Sequence, residues 1–196
     1  AITEYEEVVE KHFLDSLTIV YAINMEKIET LIDVGTGAGF PGIPLKIAFP
    51  HLKVTLLDSL NKRIKFLNEV INLLELNDIK AIHGRAEDYA KQAEYREQYD
   101  ICVSRAVANL ATLSEYCLPY VKVDGLFVPY KSGEIDEELK SSEKAVSILG
   151  GKVEEVVKFQ LPGTDIGRSF VKIHKIKETK KKYPRKAGMP TKEPLK

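Results

Sequence analysis

Three glycines separated by single residues follow a short apolar run, and this pattern could bind a nucleotide-like ligand. Residues 33–42 read Asp-Val-Gly-Thr-Gly-Ala-Gly-Phe-Pro-Gly, and Asp58 follows Gly35 by 23 residues. Glycine permits a tight turn and a close approach of the backbone to a ligand. A carboxylate at the end of the next strand can accept hydrogen bonds from both ribose hydroxyls. The pattern predicts a nucleoside cofactor; the alternative is a strand-to-helix turn that binds nothing.

The glycine spacing leaves two cofactor classes open. Residues 37–42 match the dinucleotide pattern G-x-G-x-x-G literally, which would suit a nicotinamide-dependent oxidoreductase. The predicted strand ends at Val34, however, so the series in register is an acid followed by G-x-G-x-G, formed by Asp33, Gly35, Gly37 and Gly39. Pro41 and Pro44 remove backbone donors from the following helix start, which disfavours a bound phosphate. The series resembles the S-adenosylmethionine loop of Rossmann-like methyltransferases.

Strands and helices alternate along the chain. Apolar spacing predicts helices over 4–24, 42–49, 60–76, 87–92, 110–121 and 135–149, and strands over 30–34, 54–58, 79–83, 99–104, 125–130, 152–159 and 169–176. This alternation predicts an α/β fold with a mostly parallel sheet and helices on both faces. The last two strands are joined by a link too short for a parallel crossover, so they should form an antiparallel hairpin. A seven-stranded sheet with this ending is the usual form of the Rossmann-like class I methyltransferase fold.

The composition of the chain is typical of a globular protein and argues against a membrane-spanning or secreted one. The 196 residues, 44% hydrophobic and 30% charged, fit one domain with a sizeable core. No apolar run reaches the roughly 20 residues that span a bilayer, and the acidic start lacks the layout of a secretory signal. Cys102 and Cys117 are too few for a disulfide framework and are predicted to lie in the core. The four histidines are scattered, so no metal site is expected. We expect a cytoplasmic monomer.

Five segments, in order along the chain, carry a resemblance to a known family. They are 12–17 (HFLDSL), 33–45 (DVGTGAGFPGIPL), 57–63 (LDSLNKR), 104–106 (SRA) and 183–190 (YPRKAGMP) with 194–195 (PL). Their order and spacing resemble the glucose-inhibited division protein B family, the bacterial 16S rRNA guanine-N7 methyltransferases. The family usually has a further helical segment at the N-terminus. We therefore expect 1–29 to be a truncated helical segment, 30–178 the methyltransferase domain and 179–196 a basic tail.

The resemblance implies roles for individual residues. Gly35 and Phe40 would line the methionine and ribose side of S-adenosylmethionine, and Asp58 would hold the ribose. Ala86 and Glu87 would face the adenine, although acids there also suit the first turn of a helix. Arg105 would lie where the methyl group and the target base meet.

The implied chemistry agrees with the residue types present. Guanine N7 carries a lone pair and no proton, so methyl transfer needs alignment rather than a general base. Arg105 is expected to position the base through its O6 edge or by stacking, or else to pair with the cofactor carboxylate. A structural ion pair is the third possibility. His12 is predicted to be a structural helix residue.

Charge is unevenly distributed although the net charge is zero. Residues 172–196 hold ten Lys and Arg against two Glu, which could be a solvated tail or an RNA contact. Given the resemblance, we expect 16S rRNA or the small ribosomal subunit as partner. The predicted contacts are Lys62, Arg63, Lys131, Arg168, Lys180, Lys181, Lys182, Arg185 and Lys186, with Tyr183 as a platform on which an unpaired base could stack.

Other functions remain compatible with the sequence. A methyltransferase of the same fold could act on a small molecule, although the basic tail argues against it. A nicotinamide-dependent oxidoreductase would need a second domain and a hydride-site acid–base pair, neither of which is evident. A non-catalytic RNA-binding or assembly protein could retain the fold without turnover.

Overall fold

The computed structural model describes residues 4–105 and 108–195 and is built on one seven-stranded sheet. The strand order is β3-β2-β1-β4-β5-β7-β6. The first five strands run parallel, and β7 is antiparallel to both neighbours. The strands are β1 (Thr30–Val34), β2 (Lys53–Asp58), β3 (Ile79–His83), β4 (Tyr99–Ser104), β5 (Val121–Ser132), β6 (Gly151–Gln160) and β7 (Gly167–Lys175). The predicted mostly parallel sheet with its antiparallel ending is confirmed.

Helices connect the strands much as predicted. The N-terminal segment is helical throughout: α1 (Tyr5–Val8), a π-helical stretch (Val9–Leu14), α2 (Asp15–Leu17) and a 3-10 turn (Thr18–Tyr21). A second 3-10 turn covers Met25–Lys27. The helices that follow are α3 (Gly42–Ala48), α4 (Asn61–Leu73), α5 (Ala86–Tyr89), α6 (Leu110–Cys117), α7 (Asp136–Ile148) and α8 (Met189–Lys192).

The helix predicted over 110–121 is shorter than expected. It ends at Cys117, a 3-10 turn covers Leu118–Tyr120, and β5 already begins at Val121. Pro119 has no N–H to donate to the helix, and it lies in the first turn of the 3-10 helix. Strand β5 is therefore longer at both ends than the predicted strand.

Both faces of the sheet are buried. Along β1, Leu31 packs in one apolar cluster and Ile32 in the other, and Ile101 and Cys102 alternate in the same way along β4. This alternation is expected where helices cover both faces of a parallel sheet. Both cysteines are buried and unpaired, as predicted. None of the helices within the described ranges is long and apolar enough to cross a membrane.

The predicted basic tail is not a solvated extension. Tyr183 packs in an apolar core cluster, and the Arg96 guanidinium donates to the carbonyls of Thr179 and Tyr183. Lys175, at the end of β7, is fully buried, and its Nζ donates to Leu118 O (2.7 Å) and Thr179 Oγ1 (2.8 Å). These bonds direct residues 176–195 back across the molecule. Ala106, of the family-like segment 104–106, and Lys196 lie outside the described residues.

Candidate functional site

A cleft of about 1260 Å³ opens at the carboxyl ends of the parallel strands. Strand β1 lies between β2 and β4, so the chain order reverses there and a crevice forms. The glycine loop follows β1, Asp58 ends β2, Ala86 and Glu87 follow β3, and Arg105 follows β4. All of these segments line the cleft. The topology thus brings together most of the residues singled out from the sequence.

The three glycines of the loop adopt backbone conformations that other residues avoid. Gly35, Gly37 and Gly39 have φ values of 75°, 62° and 97°. A Cβ atom on Gly39 would lie 2.5 Å from Ile43 Cδ1. The N–H of Gly35 donates to Leu57 O (2.8 Å), which ties the loop to β2. The loop is therefore held in one shape beside the end of the second strand.

Asp33 supports the loop from behind. Its side chain is fully buried and does not line the cleft. Oδ2 accepts hydrogen bonds from Thr36 Oγ1 (2.7 Å) and Gly42 N (2.9 Å), whereas Oδ1 has no partner among the described residues. Burial raises the pKa of Asp33 to about 6, although the two hydrogen bonds oppose the rise. Asp33, predicted from the sequence as a member of the cofactor-binding loop, thus lies behind the loop and supports its shape rather than lining the cleft.

Asp58 is nearly buried at the bottom of the cleft. Its Oδ2 accepts from Gly37 N (2.9 Å) and from Arg63 Nη1 (3.0 Å), and Oδ1 accepts from Leu60 N (2.9 Å). The carboxylate thus connects the loop after β1 with the start of α4. The carboxylate lies at the carboxyl ends of β1 and β2, the edge at which open α/β sheets bind their ligands.

The wall after β3 includes part of the C-terminal segment. Glu87 Oε1 accepts a hydrogen bond from Gly188 N (2.9 Å), and Tyr120 Oη donates to Ala86 O (2.6 Å). Gly188 and Thr191 both line the cleft. Sequence spacing gave no sign of this, because the contact joins residues 101 positions apart.

The buried carboxylate of Asp15 pairs with two arginines, one of which, Arg105, lines the cleft after β4. Asp15 Oδ2 lies 3.3 Å from Arg105 Nη1, and Asp15 Oδ1 lies 2.9 Å from Arg168 Nε. Arg105 also lies over the Phe40 ring, 5.3 Å from its centroid. The sequence left three roles open for Arg105: contact with the base, pairing with the cofactor carboxylate, or a structural ion pair. The ion pair is present, and Arg105 also lines the cleft.

His12 lines this same end of the cleft, a position that the sequence did not predict. Its ring stacks on Phe40 with centroids 5.1 Å apart, and its Nδ1 lies 3.0 Å from Arg105 Nη2. Helical spacing alone could not separate a cleft-lining histidine from a structural one.

Several predicted RNA-binding side chains are committed to other groups. Lys131 Nζ donates to Ala108 O (2.7 Å) and Glu138 Oε1 (2.6 Å). Arg185 is paired with the fully buried Glu115, and Arg168 is paired with Asp15. The Tyr183 ring is buried, so it offers no exposed face on which a base could stack. Exposed side chains remain at Lys62, Arg63, Lys180, Lys181, Lys182 and Lys186, with Arg63 also paired to Asp58.

Metal-binding groups are not assembled in this cleft. Across residues 4–105 and 108–195, no three His, Cys, Asp or Glu side chains are grouped so that they could hold a metal ion. The polar groups of the cleft are instead backbone N–H groups, two carboxylates, an imidazole, guanidinium groups and the hydroxyls of Thr36, Ser59, Tyr116 and Thr191. Such groups can bind a nucleoside and an amino-acid moiety.

Comparisons with known proteins agree with this geometry. The M. jannaschii TYW2 structure in complex with AdoMet superposes with a TM-score of 0.65 at 16% identity, covering 89% of this chain and 79% of that one. The fold is therefore that of the class I methyltransferases. The chain is 61% identical over 195 residues to the ribosomal RNA small subunit methyltransferase G of Lachnoclostridium phytofermentans, covering 100% of this chain and 81% of that protein.

The same relationship extends to other clostridia. The protein of that name from Clostridium botulinum (strain Loch Maree / Type A3) is 54% identical over 196 residues, covering 100% of this chain and 82% of its own length. The family model described as rRNA small subunit methyltransferase G (GidB) matches residues 1–171. The resemblance inferred from the motifs is confirmed: this chain belongs to the rRNA small subunit methyltransferase G (GidB) family.

Proposed function

We propose that the chain transfers the methyl group of S-adenosylmethionine to N7 of a guanine in 16S rRNA of the small ribosomal subunit. The names of its relatives support methylation of small-subunit rRNA. The observation that carries the proposal is the cleft, in which the glycine loop, the Asp58 carboxylate and Arg105 meet at one edge of the sheet.

The residues of the cleft fit the parts of the cofactor. Among the residues that the structure describes, Asp58 Oδ1 accepts only from Leu60 N and so retains acceptor capacity for the ribose hydroxyls, and the loop lets the backbone approach closely. Ala86 and Glu87 face the adenine, with Glu87 held in place by Gly188 N. Arg105 and Phe40 border the methionine end. When bound, S-adenosylmethionine supplies an electrophilic methyl group on a sulfonium.

The residues of the chain orient the methyl donor and the guanine, and they exchange no proton with either. Because guanine N7 has a free lone pair, the site needs no general base, and orientation carries most of the acceleration. Asp15 holds the Arg105 guanidinium near the face of Phe40 at this end of the cleft. Arg105 then positions either the base or the cofactor carboxylate.

Two measurements test the proposal. Calorimetry with S-adenosylhomocysteine, with NADH as the parallel ligand, is expected to give binding of the first alone. Incubation of S-adenosylmethionine with 16S rRNA, followed by cleavage chemistry specific for N7-methylguanine, is expected to reveal a modified guanine. NADH binding would instead support an oxidoreductase, and turnover of small substrates without rRNA would support the small-molecule alternative.

The variant Asp58→Ala should bind S-adenosylhomocysteine more weakly by about 1–3 kcal/mol. The substitution leaves the ribose hydroxyls unpaired and also frees Gly37 N from its acceptor. Calorimetry measures the loss. Asp88→Ala, an exposed acid on the neighbouring helix α5 that does not line the cleft, is the matched control and should bind as the unmodified protein does. Equal affinities for the two variants would contradict the ribose site.

Replacing Lys180, Lys181, Lys182 and Lys186 with Gln should flatten the salt dependence of rRNA binding. Each lost phosphate contact lowers the slope of log K against log salt by about 0.7–0.9, so four contacts remove about 3. Filter binding at several salt concentrations gives the slope. Replacing exposed Lys140 and Lys144 of α7 is the control. If the C-terminal variant keeps the slope of the unmodified protein, the rRNA does not contact these lysines. The same conclusion follows if the slope falls equally per lysine in the C-terminal variant and in the α7 control.

A further inference from the structure

His12 lines the end of the cleft that Arg105 and Phe40 border, where the proposed function places the methyl group and the target base. It belongs to the π-helical stretch Val9–Leu14, a kind of distortion that often occurs at functional sites. Its ring is held by the stack on Phe40, and its Nδ1 faces Arg105 Nη2 at 3.0 Å. Within residues 4–105 and 108–195, the ring also has a hydrogen-bonding contact with the Lys11 backbone, and no side chain other than Arg105 forms a hydrogen bond with it.

The neighbouring arginine determines which nitrogen carries the proton. A guanidinium only donates hydrogen bonds, so Nδ1 of His12 must be the acceptor and the ring proton must be on Nε2. Burial and the Arg105 charge both lower the pKa of His12, although Asp15 and a hydrogen bond to the Lys11 backbone oppose them, and the net lowering agrees with a neutral ring. His12 is therefore a neutral donor through Nε2–H.

A donor at this place would distinguish the two purines. Guanine and adenine share the N7 lone pair, but guanine has the acceptor O6 beside it, whereas adenine has the donor amino group N6. An N–H group pairs with O6 and opposes N6. The Arg105 Nη1 group is directed at Asp15 and the Lys11 carbonyl, and Nη2 is directed at His12. These bonds hold the guanidinium beside the His12 ring, so we assign the contact with the base to His12.

We propose that His12 donates a hydrogen bond from Nε2–H to O6 of the target guanine and so selects guanine over adenine. Arg105 is then a positioning residue, which sets the tautomer of His12 and holds its ring against Phe40. This inference rests on the proposed function, because it assumes methylation at guanine N7.

The test pairs a change in the protein with a change in one atom of the base. The target guanine is first mapped with the unmodified protein. An RNA fragment is then made with guanine or with 2-aminopurine at that position; 2-aminopurine keeps N7 and the 2-amino group but lacks O6. The variant His12→Phe keeps a ring to stack on Phe40 and removes both nitrogens. We measure kcat/KM for both proteins on both fragments.

Loss of one hydrogen bond should cost about tenfold in kcat/KM. On guanine, we expect His12→Phe to be about tenfold slower than the unmodified protein, whereas on 2-aminopurine the two proteins should be equal. Any effect of 2-aminopurine on the reactivity of N7 cancels, because both proteins meet the same base. The variant His12→Gln, whose amide reaches the Nε2 position, should retain the preference for O6, and His12→Asn, whose amide reaches only Nδ1, should lose it.

Three results would overturn the proposal. If 2-aminopurine slows His12→Phe as much as it slows the unmodified protein, His12 does not contact O6. If calorimetry shows that His12→Phe binds S-adenosylhomocysteine about tenfold more weakly, the residue serves the cofactor. If the unmodified protein forms no N7-methylguanine at all, the proposed function itself fails, and this inference fails with it.

Discussion

Replacing Arg185 with alanine is expected to lower the free energy of unfolding by about 3–5 kcal/mol, the usual cost of breaking a buried ion pair on one side. Arg185 Nε and Nη2 lie 2.9 Å and 2.6 Å from the two carboxylate oxygens of Glu115, and the backbone N–H of Arg185 donates to the same carboxylate. The Glu115 side chain is fully buried. In the folded variant its charge would therefore lose the guanidinium and keep, among the described residues, only the backbone N–H of residue 185 as a donor. Urea unfolding at neutral pH measures the difference.

The variant Lys158→Ala provides the matched control. Lys158 and Asp136 form an ion pair of similar length, 2.7 Å, but both side chains are largely exposed. Exposed pairs contribute about 0–1 kcal/mol, so this variant should unfold nearly as the unmodified protein does. A loss for Arg185→Ala no larger than that for Lys158→Ala would mean that the C-terminal segment is not fixed to the body by Glu115.

The C-terminal segment supplies part of the wall of the cleft as well as the exposed lysines. Glu115 holds Arg185, Glu87 holds Gly188, and Gly188 and Thr191 line the cleft. Deletion of residues 179–196 would remove the exposed lysines together with part of the wall of the cleft. A loss of activity after such a deletion could not be assigned to RNA binding. Substitution of the exposed lysines alone separates the two contributions.

The sheet and its glycine loop were predictable from local sequence patterns. Val34 and Gly35 mark the end of a strand buried on both faces, and Asp58 marks the end of the next. Each of these signals is read within a few residues, because strand burial and turn chemistry depend on near neighbours. The carboxyl ends of parallel strands then meet at one edge by topology alone.

The parts that were not predicted depend on partners distant in the chain. Tyr183 and Arg185 lie in a segment rich in lysine, and only the packing against the body and the Glu115 carboxylate, 70 residues away, removes them from solvent. His12 faces Arg105 across 93 residues. Residue type and spacing carry no information about such pairs, so an arginine that binds phosphate and one that binds a buried glutamate look alike in sequence.

The free energy of unfolding of the unmodified protein is expected to contain a fall between about pH 4 and about pH 6 that is due to Asp33, and the variant Asp33→Asn should lack it. The pKa of Asp33 is about 6 in the folded protein, against a usual value of 3.8, so between these pH values the folded state binds more protons than the unfolded state. The free energy of unfolding of the unmodified protein therefore falls as pH rises from about 4 to about 6. The pKa difference corresponds to about 3 kcal/mol. Above pH 6 this group contributes no further change.

Asparagine keeps an oxygen for Thr36 Oγ1 and Gly42 N, and its amide nitrogen takes the place of Oδ1, which has no partner among the described residues. Other carboxyl groups titrate in the same range, so the informative quantity is the difference between the two proteins in urea unfolding at pH 4.5–7.5. The variant Thr36→Val tests the same cause in the opposite direction. It removes a hydrogen bond that stabilises the charged form, so the decline should extend to higher pH. Parallel profiles for the unmodified protein and Asp33→Asn would mean that Asp33 is already ionised near pH 4, and the buried Oδ1 would then need a partner that its surroundings do not supply.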